Sequence, residues 1–395
     1  MFHGNKSSIG NLGVLMKLTG RTKWGIATVA IPALFAASLY IYAIWPDDLF
    51  PPPATGEVQT IAPCWIDRAI SAYYEKKTDE PIVAIIRQDI QALNGAFSPD
   101  GQYIATGGSD IRDVAISSIA EKRIIRKLAI DSCTSSAVAF SPDGRYLATG
   151  RNFMAAIPHN ESVNIWDAQS GKLIRNLPGP SAPKQYLNNV TALAFSPDSR
   201  YMTVSYIPQP SKGDSVHMFD VSTGARIQIM HPSTPAARQL VFLVGGKHLG
   251  SEDYSGTFNV YKVNTGQRVQ QIGKYSVYAL SPDDRYLAVG SNIEKQLKIL
   301  DRQTGREIKL LDTTKGRYRL LAYSPDGRHL AVYCDDGLFL WDVAAGEIVR
   351  QLKGHPYRVS DWIGFDPEGK YFVAICYKYL VVWDFRKLIA MATSN

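Results

Sequence analysis

Ala139-Phe140-Ser141-Pro142-Asp143-Gly144-Arg145-Tyr146-Leu147-Ala148 recurs in near copies along most of this chain. Copies lie at Ala96–Ala105, Ala194–Thr203, Ala279–Ala288 and Ala322–Ala331, and a worn version, Gly364–Tyr371, closes the series. Counted from the Ser, the steps are 43, 55, 85, 43 and 42 residues; the step of 85 spans two units, with a faded copy at Val241–Leu249. Seven units with a mean period near 45 result. In each, an apolar run leads into Ser-Pro-Asp-Gly and another leads out. Pro presets φ at the second position of a type I turn, Asp tolerates the third and Gly the fourth, so the stretch reads as a hairpin between two short strands. A third strand follows about twenty residues on, such as Val163-Asn164-Ile165-Trp166-Asp167. The tight turn Gln169–Lys172 then leads to a fourth strand, Leu173–Leu177. Four antiparallel strands per repeat of this length predict an all-β, seven-bladed β-propeller.

The Trp-Asp pairs Trp166-Asp167, Trp341-Asp342 and Trp383-Asp384 end three of the third strands. The pair has drifted to Phe219-Asp220, Leu300-Asp301 and Tyr261-Lys262, and Ile116-Ser117 stands in its place in the first unit. On these motifs, over residues 82–386, the chain resembles the WD-repeat β-propeller family. It departs in one respect: only Gly354-His355 matches the Gly-His that often precedes a first strand in that family. This departure implies that the His–Ser/Thr–Asp–Trp network of many family blades is mostly absent, so stability is expected to rest more on apolar stacking between blades. The resemblance also implies closure of the ring by an N-terminal strand in the last blade. Ile82–Ile86 is the natural candidate, and Lys387–Ala392 competes for the place.

The formal net charge of +7 is unevenly placed. Residues 1–45 hold Lys6, Lys17, Arg21 and Lys23 and no acid, which leaves 39 basic against 36 acidic residues elsewhere. That balance is no footprint for nucleic acid, and none is expected as a partner. Residues 24–45 form a 22-residue run without a charge. As a helix it would be about 33 Å long, enough to cross a bilayer core. Trp24 at one end and Trp45 at the other suit the two interfaces. The alternative is a cleaved signal peptide with Ala36-x-Ser38 as its site. Basic residues crowd before the span, and none follows until Arg68. The positive-inside rule therefore places residues 1–23 in the cytoplasm and the propeller beyond the membrane, which in a bacterium is the periplasm. Residues 46–80 read as a Pro-rich spacer followed by an amphipathic helix over Pro63–Lys77, and the propeller as residues 81–395.

Little in the chain suggests chemistry. The seven histidines show no metal-ligand spacing, and no nucleophile elbow or phosphate loop occurs. Asp283-Asp284 and Asp335-Asp336 fall in predicted turns, where Asp is a turn former. Cys64, Cys133, Cys334 and Cys376 read as reduced thiols in or near the core. No catalytic residue, cofactor or metal is expected. The expected function is a non-catalytic, membrane-tethered protein-interaction scaffold, a subunit or assembly factor of a membrane or envelope complex. The alternative is an enzyme or small-ligand binder that uses the central channel.

Loop lengths locate the expected partner site. In a four-stranded antiparallel blade, the first and third turns share one face of the disc. The second turns and the links between blades share the other. The long segments Arg151–Ser162, Ile207–Asp214 and Gly179–Asn189 all belong to this second face. Phe153, Met154, His159, Tyr186 and Tyr206, in or beside them, are the expected partner contacts.

Overall fold

The computed structural model describes residues 80–88, 91–108, 113–130, 134–152, 161–180, 189–207, 216–230, 236–312, 316–353, 359 and 362–392. Seven four-stranded antiparallel sheets are arranged as the blades of a propeller. Strands one to four of blade 1 are Ala92–Phe97, Tyr103–Gly108, Asp113–Ser118 and Arg123–Ala129. The same order repeats through blade 6, which ends at Leu352. Blade 7 is built from both ends of the domain. Ile363–Phe365, Tyr371–Cys376 and Tyr379–Asp384 supply its first three strands, and Ile82–Arg87 supplies the fourth by pairing with Tyr379–Asp384. This decides the closure, because Phe385–Ala392 is a helix. Asp384 caps that helix by accepting from the Lys387 N–H at 3.0 Å.

The repeated hairpin owes its shape to its own side chains. Ser141 Oγ accepts from the Tyr146 N–H at 2.9 Å and donates to Asp143 Oδ1 at 2.6 Å. Asp143 Oδ1 in turn accepts from the Arg145 N–H at 3.1 Å. Ser98, Ser196, Ser281 and Ser324 are each bonded to an Asp two residues on in the same way. In blade 7 the Ser is replaced by Asp366, whose carboxylate accepts from the Lys370 and Tyr371 N–H groups directly. The faded copy is a true hairpin: Gly246 N–H donates to Leu243 O at 2.8 Å. Glycine at the left-handed fourth position is replaced at Ser199 (φ 60°) and Asp284 (φ 59°). Both bond back to the preceding blade, Ser199 Oγ accepting from Asp143 N–H at 3.0 Å and Asp284 Oδ2 from Val244 N–H.

Apolar stacking between blades is as expected. Trp166 packs with Ala105, Ile116 and Leu128 of blade 1, and Trp341 with Ile299 and Leu311 of blade 5. A polar device is added to it. In blades 1 to 6 the fourth strand skips one residue in its ladder: Ile125, Ile174, Ile227, Val269, Ile308 and Val349. Such a bulge re-aims the next side chain and spoils the edge as a template for pairing. In five blades that side chain reaches the third turn of the following blade. Arg126 donates to Gln169 O at 2.6 Å, and Arg175 to Thr223 O at 2.6 Å and Ser222 O at 2.7 Å. Gln228, its amide turned to suit, donates to Val263 O at 2.6 Å and accepts from Gly266 N–H at 2.7 Å. Gln270 donates to Gln303 O at 2.9 Å, and Lys309 to Val343 O at 3.3 Å. These latches tie blade to blade through turn carbonyls that water would otherwise have to satisfy.

The first blade differs by one residue from the alignment expected. Ser117, opposite Ile104, holds the place of Trp166, which stands opposite Leu147; Ser118 holds that of Asp167. The space left by the missing Trp is filled from the closing strand. Gln88 is fully buried, donates to Ser117 Oγ at 3.1 Å and accepts from Thr106 Oγ1 at 2.9 Å.

The expected periplasmic location is corrected. Among the described residues no helix is long and apolar enough to cross a membrane, and the one helix there has eight residues. The run 24–45 with Trp24 and Trp45, the spacer and amphipathic helix within 46–80, and Gly354-His355 all lie outside the described residues.

Candidate partner-binding face

The two faces of the disc are chemically unlike. Ser-Pro-Asp-Gly hairpins and latched third turns close the first, here called the turn face. The second, the loop face, carries the second turns and the links between blades. Among the described residues, four large apolar side chains stand exposed there, each just after the second strand of a different blade. They are Ile207 (48% exposed), Tyr254 (54%), Ile293 (92%) and Tyr377 (45%). Side chains of this kind anchor interfaces once desolvated.

Tyr206 is a correction to the expected contact set. It is only 1% exposed, because it is the last residue of a strand and not part of the loop beyond it. It pairs with Val190, its hydroxyl lies 3.1 Å from Ser162 Oγ, and its ring meets His217 edge-on at 5.1 Å. It therefore holds blades 2 and 3 together and cannot touch a partner. Phe153, Met154, His159 and Tyr186 lie outside the described residues.

The inner strands surround a central channel of about 1160 Å³. Side chains alternate along a strand, so residues two apart point the same way. Two and four positions before the hairpin aromatic, this alternation builds two rings. The deeper ring is apolar and includes Val138, Leu193, Leu240, Leu321 and Ile363. The outer one, nearer the loop face, includes Thr191, Arg238, Ser276 and Arg319. Trp362 stands against Gly95 and Gly364, where an added Cβ would come within 3.0 Å and 2.7 Å of its ring.

Charge gathers at the mouth of this channel. Arg238 stacks over the Tyr254 ring at 5.4 Å, donates to Ser276 O at 3.4 Å and lies 3.7 Å from Glu252 Oε1. That last distance is too long for a hydrogen bond, and Glu252 Oε1 is buried without one. Burial drives the Glu252 carboxyl up to about 7, Arg238 pulls it down and the neighbouring Asp253 pushes it up. Asp253 has donors enough, accepting from the Ser255 and Thr257 N–H groups and from Asn259 Nδ2 at 2.9, 3.0 and 3.1 Å. Across the mouth, Arg319 grips Asp335 through two nitrogens at 2.9 and 2.7 Å. Asp283-Asp284 and Asp335-Asp336 lie in turns, as expected, and the first three serve as acceptors for backbone or arginine donors. Cys334 and Cys376 are buried thiols, and burial pushes the Cys376 thiol up.

The mouth residues were not singled out from sequence, although a signal exists. Arg238 and Arg319 each stand four residues before a hairpin aromatic, Phe242 and Tyr323. Reading that position across all units would have exposed the channel ring.

Comparison with known proteins agrees with the repeat. The family model "WD domain, G-beta repeat" matches residues 87–110 and 129–167. The chain is 24% identical over 223 residues to "Pre-mRNA-processing factor 19 homolog 2" of Arabidopsis thaliana, covering 52% of this chain and 38% of that protein. It is 23% identical over 222 residues to "Guanine nucleotide-binding protein subunit beta" of Saccharomyces cerevisiae, covering 54% and 48%. It is 26% identical over 151 residues to "WD repeat-containing protein SL1-17" of Schistosoma mansoni, covering 37% and 46%. The chain spans under half the length of each of these relatives.

Proposed function

We propose that this chain is a non-catalytic protein-interaction scaffold, and that its partner docks on the loop face, over the channel mouth. WD40 propellers generally mediate protein–protein contacts, and the similarity above supports that class. The observation that carries the choice of face is the placement of Ile207, Tyr254, Ile293 and Tyr377, each from a different blade. On the turn face, by contrast, the hairpin Ser and Asp side chains and the third-turn carbonyls are engaged in hairpin bonds and latches, and among the described hairpins Val244 is the large apolar side chain that stands exposed. Phe153, Met154, His159 and Tyr186, expected on the loop face from the loop lengths of the sequence, are included in the proposed surface.

The test is substitution with a fold control. Replacing Tyr254, Ile293, Tyr377 and Ile207 together by Ser is expected to abolish co-purification of the partner. The melting temperature is expected to shift by no more than about 2 °C, as for exposed positions. Retention of the partner by this variant at an unchanged melting temperature would contradict the choice of face.

A further inference from the structure

We infer that the channel mouth is a receptor for an acidic, carboxylate-bearing peptide segment of the partner, held by Arg238 and Arg317 with Tyr254 and Ile293 as its apolar wall. This rests on the loop face being the docking face and adds the chemistry of what docks there.

Three observations carry it. The first is charge. Among the described residues, the charged side chains lining the channel are Arg238, Lys274, Arg317, Arg319 and Glu252, four cations against one carboxylate. Asp335, just outside, pairs with Arg319 and also accepts from the Arg317 N–H at 3.2 Å, and both arginine charges help to hold it ionised. Beyond the first 45 residues the chain is almost balanced in charge, so this excess among the described lining residues does not follow from overall composition. A concave, low-dielectric wall focuses such a field onto an incoming anion.

The second is the state of the one carboxylate. Glu252 has 7% of its side chain exposed, and its Oε1 lacks a hydrogen-bond partner. It faces Arg238 from the first strand of its own blade, Asp253 from its own strand and Tyr278 from the first strand of blade 5. A buried carboxyl so placed holds its proton toward neutral pH and then adds no negative charge to the mouth. The third is shape. The cavity is large enough for a short extended segment, and the Arg238–Tyr254 stack presents an arginine beside an aromatic face at its rim.

Fluorescence anisotropy with the full chain tests this. The probe is a fluorescein-labelled nonapeptide that alternates Glu with Leu and Gly. Three controls replace it in turn: its Lys-for-Glu twin, its phosphoserine-for-Glu twin, and a single-stranded oligonucleotide of similar charge. The Glu peptide is expected to bind at least about tenfold more tightly than the Lys twin and to weaken steeply with salt. Arg238→Ala and Arg317→Ala are each expected to weaken it about tenfold, while Arg306→Ala on the turn face leaves it unchanged. Because Arg238 also faces Glu252, Arg317→Ala, whose side chain is exposed, guards against a folding defect. From pH 6 to pH 8 the affinity is expected to fall severalfold as Glu252 ionises, and Glu252→Gln is expected to flatten that profile. Equal binding of the Glu and Lys peptides would overturn the inference. So would indifference to both arginines, or tighter binding of the phosphoserine peptide or the oligonucleotide. A partner that still docks on the loop face while the Glu peptide fails to bind would overturn this inference alone and leave the docking face standing.

Discussion

Gln88 donates from its side-chain amide to Ser117 Oγ at 3.1 Å, in the place where blade 2 carries the indole of Trp166. In blade 2 that indole donates to Thr149 at 3.0 Å; in blade 1 the equivalent Thr106 donates to Gln88 at 2.9 Å. The seam between blades 7 and 1 is thus sealed by the residue that follows the closing strand. Gln88→Ala would leave two buried hydroxyls without this partner and is expected to cost about 2–3 kcal/mol. The fall in denaturant midpoint measures it. A chain starting at Gln88 loses the fourth strand of blade 7 as well, and with it the bond from Trp383 Nε1 to Glu80 at 3.1 Å. It is expected to melt far below a chain starting at Thr78.

Ser199 and Asp284 invert the usual ranking of small residues. Each sits at positive φ, where a non-glycine costs about 1–2 kcal/mol, and each recovers part of that through a bond to the previous blade. Ser199→Ala keeps the strain and loses the bond, so it is expected to cost about 1 kcal/mol. Ser199→Gly loses the bond but relieves the strain, and is expected to be nearly neutral. Urea midpoints of the two variants decide; an Ala variant as stable as the Gly one would contradict this account of the turn.

The latches are expected to act locally. Arg175→Ala removes donors from Ser222 O and Thr223 O. Because the arginine is partly exposed, the global loss is expected to be only about 1 kcal/mol. Amide exchange in residues 221–226 is expected to speed up, with little change in blades 5 and 6. Uniform acceleration through all seven blades would show that the ring opens as one unit instead.

How much of this could be read from the chain follows from how local each signal is. The hairpin bonds of Ser141 and Asp143 lie within five residues, so the turn motif announces itself and, by its period, the seven blades with it. Closure was open because pairing of Ile82–Arg87 with Tyr379–Asp384 joins the two ends of the domain, and a helix at Phe385–Ala392 leaves much the same apolar signature as a strand. The Gln88–Ser117 bond spans 29 positions and has no local mark. Tyr206 was misplaced because one residue separates the end of a strand from an exposed loop. Arg238 and Glu252 were missed because a channel mouth gathers single residues from many strands.

Stability should depend on pH through Glu252. Its folded-state value, raised to about 7 by burial, exceeds its ordinary value of 4.5, so the folded chain holds the proton longer than the unfolded one. Stability is then expected to fall as pH rises from about 4.5 to about 7 and to level off above, by on the order of 3 kcal/mol in all. Glu252→Gln is expected to remove that slope and to be the more stable protein at pH 8. A parallel pH profile for the two proteins would show that Glu252 ionises freely.

The most direct test of the docking face is position-specific cross-linking. A photoreactive phenylalanine analogue placed at Ile293 on the loop face is expected to capture the partner in cells, and the same analogue at Gln303 on the turn face is expected to capture none. Cross-links from position 303 with none from 293 would contradict the proposed function.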